Sequence, residues 1–167
     1  MPHSLILGIT ESGKTTLAYS LAASYRKRKI PVLVLDPLKA SRWKADFITD
    51  NAEDFLKVVF SNTSCALFID EAGDMIGKYN DAMNKLATFS RHCGHNAHFI
   101  CQRAVMISPT IRAQCTNIYL FKQSKKDSEI LSRDFVADEL ENAVNLRKGE
   151  FLAKIGVDGK VFKGKVF

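Results

Sequence analysis

The stretch GITESGKT, residues 8–15, spaces two glycines, a lysine and a threonine as G-x-x-x-x-G-K-[ST]. Gly8 and Gly13 allow the backbone to curl until the N–H groups of Ile9, Thr10, Glu11, Ser12 and Gly13 point inward, a concavity that suits phosphate oxygens. A helix opening at Lys14 adds the positive end of its dipole. Lys14 then sets an ammonium on the outer phosphates, Thr15 offers a hydroxyl to Mg²⁺, and Thr16 extends the cradle into the first turn. Residues 8–16 are therefore expected to bind a nucleoside triphosphate. Glu11 is an acid in a loop that holds anions, so it is expected to face solvent or a neighbouring subunit.

Three further sites bear on what happens to that nucleotide. In CALFIDE an apolar run ends at Asp70-Glu71. Asp70 is placed to hold Mg²⁺, and Glu71 to polarise an attacking water as general base. A small-molecule kinase needs no such base, so the pair favours hydrolysis. In AHFICQR the run ends at Gln102, whose neutral amide can hydrogen-bond a γ-phosphate or the lytic water. Arginine stabilises a transferring phosphoryl group from the same subunit or from a neighbour. Arg91, in SRHCGHN, and Arg112, in SPTIRAQC, are the two positions from which a neighbour's nucleotide could be reached, Arg91 the favoured one.

Other residues invite chemistry and are read more plainly. His92, Cys93, His95, His98 and Cys101 crowd within ten residues, but their spacing matches no common zinc pattern, and loop and core roles are expected for them. Arg26, Lys27, Arg28 and Lys29 suit the negative end of a helix. The LKASRWK segment, with Lys39, Arg42, Trp43 and Lys44, can meet nucleic-acid phosphates, with Trp43 stacking or packing beneath the loop. Lys122, Lys125 and Lys126 form a second basic group.

The elements that must position these residues alternate. Strands are expected over Ser4–Ile9, Pro31–Leu35, Ala66–Ile69, Ala97–Cys101 and Asn117–Lys122. Helices are expected over Lys14–Lys29, Asn51–Phe60 (capped by Asp50 or Asn51) and Asn80–Arg91, with one or two more over Lys126–Asn142. From Gly149 the tail FLAKIGVDGKVFKGKVF reads as a β-hairpin turning at Asp158-Gly159. The expected fold is α/β, a three-layer sandwich around a mainly parallel five-stranded sheet with a C-terminal β-hairpin. Asp36, Asp70, Glu71 and Gln102 then gather at the carboxyl ends of the strands, where such sheets bind ligands.

A chain of 167 residues with 46% hydrophobic and 25% charged residues suits one packed domain over residues 1–167. The formal net charge of +6 gives mild support for a polyanionic partner. No apolar run approaches the ~18 residues that span a bilayer. Cys65, Cys93, Cys101 and Cys115 are expected to be reduced thiols in a cytoplasmic setting, the host's if the chain is viral.

A phosphate loop, a strand ending in Asp-Pro, a strand ending in Asp-Glu and a strand ending in Gln together resemble the FtsK–HerA superfamily of P-loop ATPases. Within it, FIDEA, SRHCGHNAHFICQ and SPTIRAQCTNIYLF are similar to segments of compact viral genome-packaging ATPases. The resemblance spans roughly residues 4–122. It implies a ring, commonly a hexamer, that hydrolyses ATP at subunit interfaces and moves double-stranded DNA, with a capsid or portal protein as docking partner. On this chain it implies that Lys14 and Thr15 bind ATP and Mg²⁺, Asp70 holds the metal, Glu71 activates water, Gln102 senses the γ-phosphate and Arg91 is the finger. Two other readings share the nucleotide residues: an ATPase working on protein during particle assembly or secretion, and a phosphotransferase without a mechanical role.

Overall fold

The apolar runs build one sheet because each is too short to bury itself and too hydrophobic to face water. In the computed structural model, which describes residues 2–39 and 42–167 and only the backbone over 72–80, they form an eight-stranded sheet. The strands are β1 (His3–Leu7), β2 (Val32–Leu35), β3 (Phe47–Thr49), β4 (Ala66–Ile69), β5 (Asn96–Cys101), β6 (Cys115–Phe121), β7 (Glu150–Lys154) and β8 (Phe162–Lys165). Their order across the sheet is β3-β2-β4-β5-β1-β6-β7-β8. Pairing is parallel from β3 through β6 and antiparallel for β7 and β8.

The expected fold class holds, and the strand number is corrected from five to eight. The hairpin of β7 and β8 adds to the main sheet by pairing Phe121 with Phe151, so its strands join the same ladder. The other addition is β3, three residues on the far edge to which no element was assigned from the sequence.

The helices are α1 (Lys14–Lys27), α2 (Ala52–Phe60), α3 (Ala72–Phe89), α4 (Pro109–Gln114) and α5 (Lys125–Asp134), with 3₁₀ turns over Ala104–Met106 and Asp138–Asn145. Asn51 caps α2 by accepting from the N–H groups of Glu53 and Asp54. Helix α3 starts directly after Glu71, two turns before the expected Asn80. The segment expected to hold one or two helices contains α5 and the second 3₁₀ turn. The hairpin loop turns around Val157 and Asp158, wider than a two-residue connection, with Gly159 N–H bonded to Gly156 C=O at 3.3 Å.

Alternate strand residues separate into two cores, as a period of two requires. Leu5, Leu7, Leu67, Ile69 and Phe99 face Phe55 of α2, Met83 and Leu86 of α3, Ile111 of α4 and Leu131 of α5. Ile6, Val34, Phe68 and Ile100 face Leu17, Ala18, Ala22 and Tyr25 of α1, together with Trp43. Apolar helices on both faces leave the sheet's carboxyl edge as the place where polar groups can meet.

Candidate phosphate-binding and hydrolytic site

The loop between β1 and α1 has the shape its glycines require. Gly13 has φ +113°, and a Cβ there would lie 2.9 Å from Val166 Cγ2 and 3.0 Å from Phe121 Cε1. A Cβ on Gly8 would lie 2.6 Å from the Phe121 Cβ and 2.7 Å from Ser12 Oγ. Glu11 takes the left-handed conformation at φ 61° and is exposed, open to solvent or to a neighbouring subunit. Helix α1 has Gly13 as N-cap, no side-chain cap and no acid in its first turn. Its first N–H groups are thus left to an anion. Ser12 Oγ is buried with no hydrogen-bond partner among the described residues. A buried donor without an acceptor is costly, and phosphate oxygens in this concavity would satisfy it.

Lys14 is only 8% exposed, with Nζ donating to the Ile9 carbonyl at 2.9 Å, so its ammonium folds over the loop. Burial pulls its pKa below the ordinary lysine value, and the charges of Glu71 and Asp70 oppose that shift. The three side chains therefore share one electrostatic site, although they come from α1 and the end of β4. Thr15 is half-buried in the first turn and Thr16 is exposed.

Burial pushes the Asp70 carboxyl up to about 6, against the Glu71 N–H, which donates to Asp70 Oδ1 at 2.9 Å; the carboxylates of Asp36 and Glu71 add to the rise. A half-buried carboxyl among acids calls for a cation. Thr15 and Asp70 offer hard oxygen donors, and Mg²⁺ takes one or two protein carboxylates together with substrate phosphates. These residues fit that ion, although the described residues contain no group of three His, Cys, Asp or Glu able to hold a metal alone. Glu71 sits at φ 50°, a left-handed conformation that turns the chain sharply from β4 into α3.

Gln102 follows β5, beside β1 in the sheet. Its Oε1 accepts from Thr10 Oγ1 at 3.4 Å, which joins it to the phosphate loop. Its carbonyl accepts from Gln123 Nε2 at 2.6 Å, and Gln123 is buried. The next residue, Arg103, pairs with fully buried Asp127 at 3.1 Å. Gln123 and the Arg103–Asp127 pair were missed in the sequence, where nothing marks polar residues from separate segments as partners.

The two expected finger arginines lie elsewhere. Arg91 donates to the Gln114 carbonyl and acts electrostatically on His3 and Cys115, which begin β1 and β6. That is the amino edge of the sheet, opposite the phosphate loop. Arg112 is held by Asp134 at 2.6 Å and by the carbonyls of Ala104 and Ile107 at 3.1 and 2.8 Å. The structure thus brings Lys14, Thr15, Asp70, Glu71 and Gln102 together, and the two arginines bond to groups outside that set.

Trp43 is part of the core. It is buried, its N–H donates to Asp36 Oδ2 at 2.9 Å, and its ring meets Tyr19 and Phe68. This settles its role as packing beneath the loop, because a ring so enclosed has no face left for a base. Lys39 pairs with Asp50 at 2.9 Å, and Ala40 and Ser41 of the same segment lie outside the described residues. His95 accepts from the Cys65 N–H at 3.1 Å and contacts the Val59 carbonyl at 3.1 Å. His98 stacks on Phe68 and meets the Tyr25 hydroxyl. His95 and His98 are thus engaged in the core, and His92 is exposed on the connection before β5.

Residues 4–123 match the ATPase family associated with various cellular activities (AAA). The chain belongs to that family. Among solved structures, this ATPase shares its fold with the genome packaging NTPase B204 of Sulfolobus turreted icosahedral virus 2 in complex with AMPPCP, at a TM-score of 0.81 and 19% identity over 98% of this chain and 96% of that one. The pCW3 conjugation coupling protein TcpA with ATPγS is similar at a TM-score of 0.76 and 21% identity, over 96% and 59% of the two chains. VirB4 of Thermoanaerobacter pseudethanolicus is similar at 0.73 and 12% identity, over 99% and 89%. No curated protein matches the sequence of this ATPase. These neighbours share the fold that the resemblance implies. Among the described residues no helix is long and apolar enough to cross a membrane.

Proposed function

We propose that this ATPase is the motor subunit of a ring, a hexamer by resemblance, that hydrolyses ATP to move double-stranded DNA, most closely as in viral genome packaging. The observation that carries this reading is the full set of hydrolytic side chains at one sheet edge, on a fold shared along 98% of the chain with a packaging NTPase. Lys14 and the loop N–H groups bind the β- and γ-phosphates. Thr15 and Asp70 are the residues that would hold Mg²⁺, which supplies charge neutralisation on the phosphates. Glu71 takes a proton from a water whose oxygen attacks the γ-phosphorus as the bond to ADP breaks. Gln102 orients that water or the γ-phosphate.

Arg91, from the amino edge, or Arg112, from α4, would stabilise the transition state of a neighbouring subunit. Both are bonded within their own chain, so either would have to exchange partners on assembly. A capsid or portal protein would dock the ring, and the work would be done in the host cytoplasm or at the virion.

The test is hydrolysis measured with and without double-stranded DNA over a range of salt, beside the mass of the assembly in solution. The reading expects oligomers and DNA-stimulated turnover that fades as salt rises. A monomer whose turnover ignores DNA at every salt concentration would overturn it and favour an ATPase acting on protein.

A further inference from the structure

The nucleotide has two ends, and the fold orients them. Asp70, Glu71 and Gln102 follow β4 and β5, which stand on one side of β1 in the sheet. The γ-phosphate belongs on that side. The phosphate loop lies at the end of β1 itself, so the remainder of the molecule must extend toward the other side, over β6, β7 and β8. There a cavity of about 340 Å³ opens beside Lys14, Thr15 and Thr16, and its outer wall is made by Lys148 and Phe167.

That wall is fastened to the phosphate loop through one glycine. Gly149 N–H donates to the Ser12 carbonyl at 2.9 Å, and its own carbonyl accepts from Val166 N–H at 2.9 Å. Its φ is +82°, and a Cβ there would lie 2.7 Å from Phe167 Cε2. The Phe167 ring is thus seated against bare backbone that contacts the loop. It is nevertheless 58% exposed, and it lines the cavity. A large aromatic ring held this way and left wet at a phosphate site has the chemistry of a stacking platform.

We propose that Phe167 is the platform on which the nucleobase of the bound nucleoside triphosphate stacks, with the Lys148 ammonium on the same wall facing the α-phosphate. This rests on the reading of residues 8–16 as the triphosphate site. Stacking uses the π face of a base and so favours any nucleobase over none.

Binding of ATP and of inorganic tripolyphosphate, measured by calorimetry on the full chain, separates the two contributions. Phe167→Ala and Phe167→Leu should each weaken ATP by about tenfold while leaving tripolyphosphate unchanged. Leu keeps apolar contact with Gly149 but offers no π face. Trp43 is the chain's single tryptophan and is buried, so a Phe167→Trp variant adds an exposed reporter, whose emission should be quenched by ATP and not by tripolyphosphate. Unchanged ATP affinity in Phe167→Ala and Phe167→Leu overturns the platform. Equal loss of both ligands does so too, because Phe167 would then serve only to hold the loop. If tripolyphosphate binds the wild type and Lys14→Ala alike, the phosphate site itself is misplaced and the platform falls with it.

Discussion

Thr10 Oγ1 donates to Gln102 Oε1 at 3.4 Å, linking the phosphate loop to the end of the adjacent strand across 92 residues of sequence. The Gln102 amide therefore stands within reach of whatever occupies the loop, and the Gln123 bond to its carbonyl at 2.6 Å fixes the backbone that carries it. Replacing Gln102 with Ala should leave ATP affinity within a few fold, while hydrolysis falls by roughly 10²-fold, the scale for losing one preorganised polar contact to a transition state. Thr10→Val removes the partner but not the amide and should cost much less. Steady-state turnover beside calorimetric affinity decides it, and comparable losses in the two variants would mean that Gln102 only braces the loop.

Glu71 carries the heavier chemical assignment. Its left-handed backbone at φ 50° places the side chain at the sharp entry to α3, next to Asp70 and Lys14. Glu71→Gln preserves size and removes the base. ATP should still bind, and hydrolysis should slow by about 10²-fold or more. A variant with normal turnover would assign the base to another residue.

Much of this site was legible because its residues lie at the ends of apolar runs, and a parallel sheet brings such ends to one edge. The spacing of Gly8, Gly13, Lys14 and Thr15 and the Asp70-Glu71 step predicted a common place, and Lys14 responds electrostatically to both acids. What the sequence hid are contacts between distant segments. Phe47–Thr49 is a half-exposed three-residue strand whose pairing comes from its neighbour β2, so no local pattern announces it. Trp43 looked available among basic residues, yet the sheet supplies Phe68 and Asp36 to enclose it. Arg91 was placed near the Gln102 strand in sequence, correctly, but it meets that strand at the opposite end, because a parallel connection must return to the amino edge before the next strand begins.

Gly149 is a glycine for a geometric reason that can be measured. At φ +82° an L-residue sits in a region costing about 1–2 kcal/mol, and the new Cβ would collide with the Phe167 ring. For a chain of this size each kcal/mol lowers Tm by roughly 2–4 °C. Gly149→Ala should therefore lower Tm by a few degrees and also weaken triphosphate binding, because the Ser12 carbonyl takes its bond from this residue. Calorimetric melting with and without ATP tests both parts. An unchanged Tm would show that the tail does not brace the loop.

The amino edge makes the stability of the fold depend on pH through two buried histidines. Burial, with help from the Arg91 charge, lowers His3 to about 4, and burial lowers His98 to about 3, His3 adding to it. Both are neutral in the folded chain at pH values where an unfolded histidine, near 6.5, already takes a proton. The unfolded state then binds more protons, so stability is intact above about 6.5 and is lost as pH falls toward about 4. The loss runs to about 1.4 kcal/mol for each pH unit between the folded and unfolded values of a group. In melts between pH 7 and 4.5, Tm should fall steadily, and His98→Gln, which retains an amide donor for the Tyr25 hydroxyl, should fall less steeply. Parallel curves for the two proteins would mean that His98 is protonated without cost inside the fold.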